Sequence, residues 1–174
     1  MGAVLDKLTA EQFRAKYGES KPYFELLDGE VVQKPLPTNL HSILQLVLAL
    51  TLKELGFKAR PELTLAIDAA WEPTPDVSAL TEPIEEPYPS RPIAVAIEVL
   101  SPDDRFTRVI QKCRRYASWG VKDILIFDPA DREAWCWDRT TGDVRHIQRS
   151  YVFTSRPAEI LLQEVWRRVD DELK

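Results

Sequence analysis

Residues 93–100 read Ile-Ala-Val-Ala-Ile-Glu-Val-Leu, apolar at every position but one. A strand with one face in water alternates apolar and polar residues, whereas one apolar on both faces is covered on both sides, usually by helices. The run therefore predicts a central strand of an α/β fold. Glu98 is its exception. A lone carboxylate in such a strand is costly if ionised and unpaired, so it either meets a cation, a metal or a proton, or lies half solvated at the strand's open end.

Upstream, Pro75-Asp76 precedes Val77-Ser-Ala-Leu80, a short strand able to lie beside the first. Asp76 and Glu98 can then converge on one divalent ion, because Mg²⁺ and its relatives take hard oxygen ligands: one or two carboxylates plus waters and phosphate oxygens. The connection between them carries Pro83, Pro87, Pro89 and Pro92 and reads as an extended surface segment. Downstream, Asp103 or Asp104 caps a helix that Gly120 ends. At about 100° per residue, Phe106, Val109, Ile110, Cys113 and Ala117 form its apolar stripe, with Lys112 on the border near Arg105, Tyr116 and Trp119. A border lysine either snorkels into water or lies along the core and presents its ammonium over the end of the sheet.

Further out, Thr9 and Gln12 form a capping box for a short amphipathic helix. Asp28-Gly29 between apolar runs predicts a hairpin, with Glu25 on its first strand as an exposed residue or a site accessory. Thr38 or Asn39 starts a buried helix to Leu55, with His41 in its first turn. His41 is either an interface histidine or a group touching phosphate or metal. Glu62 to Asp68 alternates as a strand, Asp123 to Asp128 reads as a buried one, and Thr140-Thr141-Gly142-Asp143 joins a hairpin of residues 134–139 and 144–152. A terminal amphipathic helix includes Ile160, Leu161, Val165, Trp166 and Val169.

Pro75-Asp76, Glu98-Val99-Leu100 and Lys112 together resemble the PD-(D/E)XK nuclease superfamily. The phrases YFELLDGEVV, PDVSAL, IEVLSP, KCRRYASWGV and LIFDP, in that order, resemble its Uma-type branch of restriction endonucleases. The resemblance, which runs from about Tyr23 to about Pro129, implies a restriction-endonuclease-like core; the elements read along the chain make the architecture α/β, a central mixed β-sheet flanked by helices with an added β-hairpin near the C-terminus, and the length suits one domain over residues 1–174. The resemblance also implies Mg²⁺-dependent hydrolysis of DNA phosphodiester bonds, with Mn²⁺ as a substitute ion. Asp76, Glu98 and the carbonyl of Val99 would hold the ion, Lys112 would complete the catalytic set, and Glu25 would assist; Tyr116, one turn after Lys112, orients the lysine or a phosphate, or simply packs. The chain departs from the superfamily pattern at Leu100, where its lysine would sit two residues after Glu98; in this branch a helix lysine takes over, and Lys112 stands at that place.

The net charge of −5 excludes a protein coated in basic residues for indiscriminate nucleic-acid binding. Basic residues nevertheless gather on one helix, where Arg105, Arg108 and Arg115 contact DNA phosphates or form a solvated face. Cys113 and Cys136 lack metal-ligand spacing and suit a reduced cytoplasmic protein. The N-terminus has no signal-peptide core, and the run from Leu40 to Leu55 is too short and too interrupted to span a bilayer, so no membrane partner is expected. Trp135, Trp137, Tyr151, Phe153 and Trp166 are more aromatic surface than one hairpin and helix readily bury, which predicts a homodimer. Leu100 and the acidic charge support a rival reading, a catalytically inactive, dimeric nucleic-acid-binding or accessory protein of the same fold.

Overall fold

The computed structural model describes residues 7–19, 23–102 and 104–174. Helix α1 (Ala10–Tyr17) opens on the capping box, in which Gln12 N–H donates to the Thr9 hydroxyl and Thr9 N–H to the Gln12 side chain. The hairpin β1 (Phe24–Leu27) and β2 (Glu30–Gln33) turns on Asp28 and Gly29, both at positive φ (55° and 77°), a conformation that Asp and Gly tolerate best. Helix α2 (Asn39–Glu54) begins where the Thr38 hydroxyl accepts the His41 N–H at 3.1 Å.

The central sheet has six strands in the order β3 (Lys58–Pro61), β4 (Val77–Leu80), β5 (Val95–Val99), β6 (Asp123–Asp128), β7 (Glu133–Asp138) and β8 (Asp143–His146). Among the described residues only β5 and β6 pair in parallel, and helix α3 (Phe106–Trp119) makes the crossover between them that parallel pairing requires. The sheet is thus mixed, as expected, and the hairpin β7–β8 extends it beyond β6. Alternation sorts its residues into two cores. Val77, Ala79, Val95, Ile97, Val99, Leu125 and Phe127 pack with Leu44, Leu48 and Leu52 of α2 and with Val165 and Val169 of the last helix, α4 (Leu162–Glu172). Ala96, Ile124 and Ile126 face the other way, onto Val109, Cys113 and Tyr116 of α3. The run 93–100 is apolar on both faces because both faces are covered.

Three local expectations are corrected. Residues 62–68 form no strand: Glu62 sits at φ 50°, which breaks the extended path, and the preceding four residues form edge strand β3. The second arm of the late hairpin ends at His146; Ser150–Val152 (β9) instead pairs with Glu159–Leu161 (β10), so Ile160 and Leu161 precede α4 rather than belong to it. That turn is pinned by Asp123, whose buried carboxylate accepts from the Tyr151 hydroxyl, the Thr154 N–H and hydroxyl, and the Ser155 N–H at 2.7–3.0 Å. Finally, α3 has no side-chain cap: Asp104 accepts the Ser101 N–H at 2.7 Å, Arg105 stands at the N-cap, and Asp103 lies outside the described residues.

The late aromatic residues are largely accommodated within the chain. Phe153 is buried, with Tyr151 edge-on at 5.3 Å; Trp166 packs on Phe127 at 6.0 Å and Trp135 on Phe106 at 5.8 Å. Among the described residues no helix is long and apolar enough to cross a membrane.

Candidate active site

Register brings the two predicted acids together. Val77 pairs with Ile97 in the antiparallel ladder of β4 and β5, so the next step outward sets Asp76 opposite Glu98 at the end of the sheet. Both project on the α3 side, by alternation from Ser78 and Ala96. They are 3% and 6% exposed, so Glu98 does not lie half solvated. Asp76 Oδ2 accepts the Val99 N–H at 2.7 Å, which locks its carboxylate against the backbone of β5.

The buried residues of α3 are Val109, Lys112, Cys113 and Tyr116, a stripe with i, i+3, i+4, i+7 spacing. Phe106, expected in the stripe, is 40% exposed, and Lys112 lies inside it rather than on its border. The helix therefore points the lysine into the core. Lys112 Nζ donates to Glu98 Oε2 at 2.7 Å and to Glu25 Oε1 at 2.8 Å. Tyr116 packs in the same stripe and donates its hydroxyl to Glu98 Oε1 at 2.7 Å, so it orients the acid rather than the lysine. Glu25 is buried, not an exposed strand residue, and also accepts the Thr74 N–H at 2.7 Å. His41 lies between Ser101 Oγ, 3.1 Å from Nδ1, and Asp76 Oδ1, 3.5 Å from Nε2.

A second lysine enters from the hairpin. Lys34, just past β2, donates from Nζ to Glu62 Oε2 at 2.8 Å, to the Thr74 carbonyl at 2.9 Å and to Asp76 Oδ1 at 3.0 Å. Gln45 steadies this group by donating to Glu62 Oε1 and to the Asp76 carbonyl, each at 2.8 Å. Neither Lys34, Gln45, Glu62 nor Ser101 carries a local signal. Each is an ordinary polar residue in its own segment, and only the tertiary fold places it here.

The electrostatics follow from four carboxylates (Glu25, Glu62, Asp76, Glu98) sharing two ammonium groups. Burial alone would raise the Asp76 carboxyl, but Lys34 and His41 outweigh it and hold the group well below the usual carboxylate range. Burial pushes Glu98 up to about 7, since Lys112 must offset not only desolvation but also the charges of Asp76 and Glu25. Desolvation works against the Lys112 and Lys34 charges too, yet each faces several acids and stays protonated well above the ordinary lysine range.

These groups line a cleft of about 860 Å³ walled by Tyr23, the Lys34-Pro-Leu-Pro37 segment, α2 and the start of α3. Arg105 and Arg108 stand exposed on its wall. Arg115 does not reach it: its guanidinium pairs with Asp68 and lies over the Trp71 ring at 5.6 Å. Among the described residues no three His, Cys, Asp or Glu side chains converge as a metal cage. Mg²⁺ rarely uses such a cage and is satisfied by one or two carboxylates and water. The hard-oxygen donors at the sheet end, with four acids for two lysines, fit such an ion.

The fold has a solved counterpart in the crystal structure of a putative nuclease belonging to DUF820 from Anabaena variabilis ATCC 29413. The match covers 93% of this chain and 99% of that one at 19% identity, with a TM-score of 0.79. A cryo-electron-microscopy structure of a DrdV–DNA complex aligns with 72% of this chain and 10% of its own at 15% identity and a TM-score of 0.39, too distant to build on. No curated protein sequence matches the chain. The family model described as Uma2, putative restriction endonuclease, matches residues 10–169, and the chain belongs to that family.

Proposed function

We propose that the chain is a metal-dependent DNA endonuclease of a single restriction-endonuclease-like domain. The observation that carries the reading is the buried ammonium of Lys112, held by Glu98 and Glu25 at the end of the sheet where Asp76 also lies. Asp76, Glu98 and the Val99 carbonyl would hold Mg²⁺ or Mn²⁺, which when bound lowers the pKa of a water and polarises a phosphoryl oxygen. Lys112 supplies a positive charge that is already oriented and already desolvated, the arrangement that best stabilises charge developing on a phosphate. Glu25 keeps that ammonium in place through its own anchor on the Thr74 N–H. Tyr116 fixes one oxygen of Glu98 and leaves the other to Lys112. Arg105 and Arg108 meet the DNA backbone at the cleft wall.

The test is nicking of supercoiled plasmid in Mg²⁺, Mn²⁺ and EDTA by the parent protein, Glu98→Gln and Lys112→Ala. Cleavage that needs the ion and both side chains supports the reading; equal nicking by all three proteins defeats it. One observation favours the rival, an inactive DNA-binding protein: Lys34 already neutralises Asp76. DNA binding in EDTA with no cleavage in any ion would select it. For the homodimer, the late aromatics no longer argue; exposed Leu46 and Leu50 on α2 do, and light scattering reading 20.0 kDa at all concentrations would reject it. The two cysteines are free and buried, in keeping with a reducing cytoplasm.

A further inference from the structure

Lys34 has no part in the chemistry just described, yet its environment is built like a cation site. Its ammonium meets one oxygen each from Asp76, Glu62 and the Thr74 carbonyl at 2.8–3.0 Å, one acceptor for each of its three N–H donors. Gln45 holds two of these partners from behind. The side chains of Lys34 and Asp76 are 13% and 5% exposed, so little water shares the charge. Two carboxylates and a carbonyl are also what a hard divalent ion selects.

Resting on the metal-dependent reading above, we infer that Lys34 is a built-in competitor for the divalent ion. It occupies Asp76 Oδ1 and must yield that oxygen, retreating onto Glu62 and Thr74, before Asp76 can ligate metal. Its charge then remains within a few ångström of the ion and weakens binding. The protein would thus demand a higher ion concentration than its acids alone require, and Lys34 sets that threshold as a positioning residue of the site. The side chain to which the ammonium retreats is itself fixed: Glu62 is one-third exposed at the cleft and held by Gln45.

Mn²⁺ binding to the intact protein, measured calorimetrically and by electron paramagnetic resonance of free Mn²⁺, tests this with Lys34→Met and Lys34→Arg. Lys34→Met keeps the stem and removes the charge. It should bind Mn²⁺ at least about tenfold more tightly than the parent, because at an effective dielectric constant of about 20 a unit charge this close to a dication opposes it strongly. Lys34→Arg keeps the charge and should bind as the parent does. Lys34→Met also leaves Asp76 and Glu62 without their cation, so melting curves accompany the titrations; Mn²⁺ should raise its melting temperature by more than it raises the parent's, which reads the same gain even in a weakened fold. Parent binding with an equal or weaker Lys34→Met would overturn the competition and leave the metal-dependent reading standing. Binding by Lys34→Met alone would support the competition and remove metal-dependent cleavage from the parent. No binding by any of the three at millimolar Mn²⁺ would end both.

Discussion

Replacing Lys112 with methionine keeps a stem of similar length and deletes the ammonium that bonds Glu98 at 2.7 Å and Glu25 at 2.8 Å. Two buried carboxylates are then left to each other, and breaking a buried pair from one side costs about 3–5 kcal/mol. The loss should depend on pH. Burial raises the Glu98 carboxyl from 4.5 to about 7 even against the pull of Lys112. Between those values the native state holds a proton that the unfolded chain has released, so this group's contribution to stability is complete below pH 4.5 and declines as pH rises through about 7. In Lys112→Met the charge that limits the rise is gone, the folded pKa moves higher, and the decline continues into alkaline solution at about 1.4 kcal/mol per pH unit. We predict that the gap between variant and parent, read from urea unfolding followed by circular dichroism, widens by about 2–3 kcal/mol between about pH 7 and pH 9. Adding Glu98→Gln removes the titrating group and should flatten the profile and restore part of the stability. A Lys112→Met protein as stable as the parent, with the parent's pH dependence, would show that the ammonium is solvated and that the reasoning fails.

We further predict that Lys112→Ala lowers plasmid cleavage by about two to three orders of magnitude, the scale of losing one transition-state charge donor; adding Leu100→Lys, on the same strand face as Glu98, should return part of it, and a folded double variant with no recovery would show that the ammonium must come from α3. Asp123→Ala leaves the donors of Tyr151, Thr154 and Ser155 unmatched and should lower stability by about 2–4 kcal/mol in denaturant titrations without touching the cleft; an unchanged midpoint would contradict the anchor. Arg105→Ala and Arg108→Ala should each reduce the slope of log affinity against log salt by about 0.9 for duplex DNA, whereas Arg115→Ala, turned toward Asp68 and Trp71, should leave it unchanged; equal effects from all three would place the DNA elsewhere.

What the sequence made legible was whatever depends on neighbours a few residues away. The Asp28-Gly29 turn, the Thr9 capping box and the doubly apolar run at 93–100 each contain their own cause. Residues 62–68 misled because their alternation is genuine, while Glu62 at φ 50° and the backbone bonds of Leu65 to Pro73 and of Ala66 to Pro89 divert the chain from any ladder. Ile160 and Leu161 fit a helical stripe equally well, but pairing with Tyr151 and Ser150 captured them. In the site, Asp76, Glu98 and Lys112 were visible through the resemblance. The burial of Glu25 was not, since a strand residue's face is fixed only by what packs on it, and Lys34 was hidden because its three partners come from positions 28, 40 and 42 residues away.

The two borders of the six-stranded sheet are strands β3 and β8. One carries Lys58 and Arg60 outward and ends in Pro61; the other reads Asp-Val-Arg-His. Unpaired strand borders invite another chain to add itself through main-chain bonds, and charged side chains and proline are what discourage it. Both borders are thus guarded against open-ended stacking. Two copies that associate would therefore use another surface, such as the α2 face that exposes Leu46 and Leu50 or the β9–β10 pair that exposes Val152 and Leu161, and the six-stranded sheet would keep its own size.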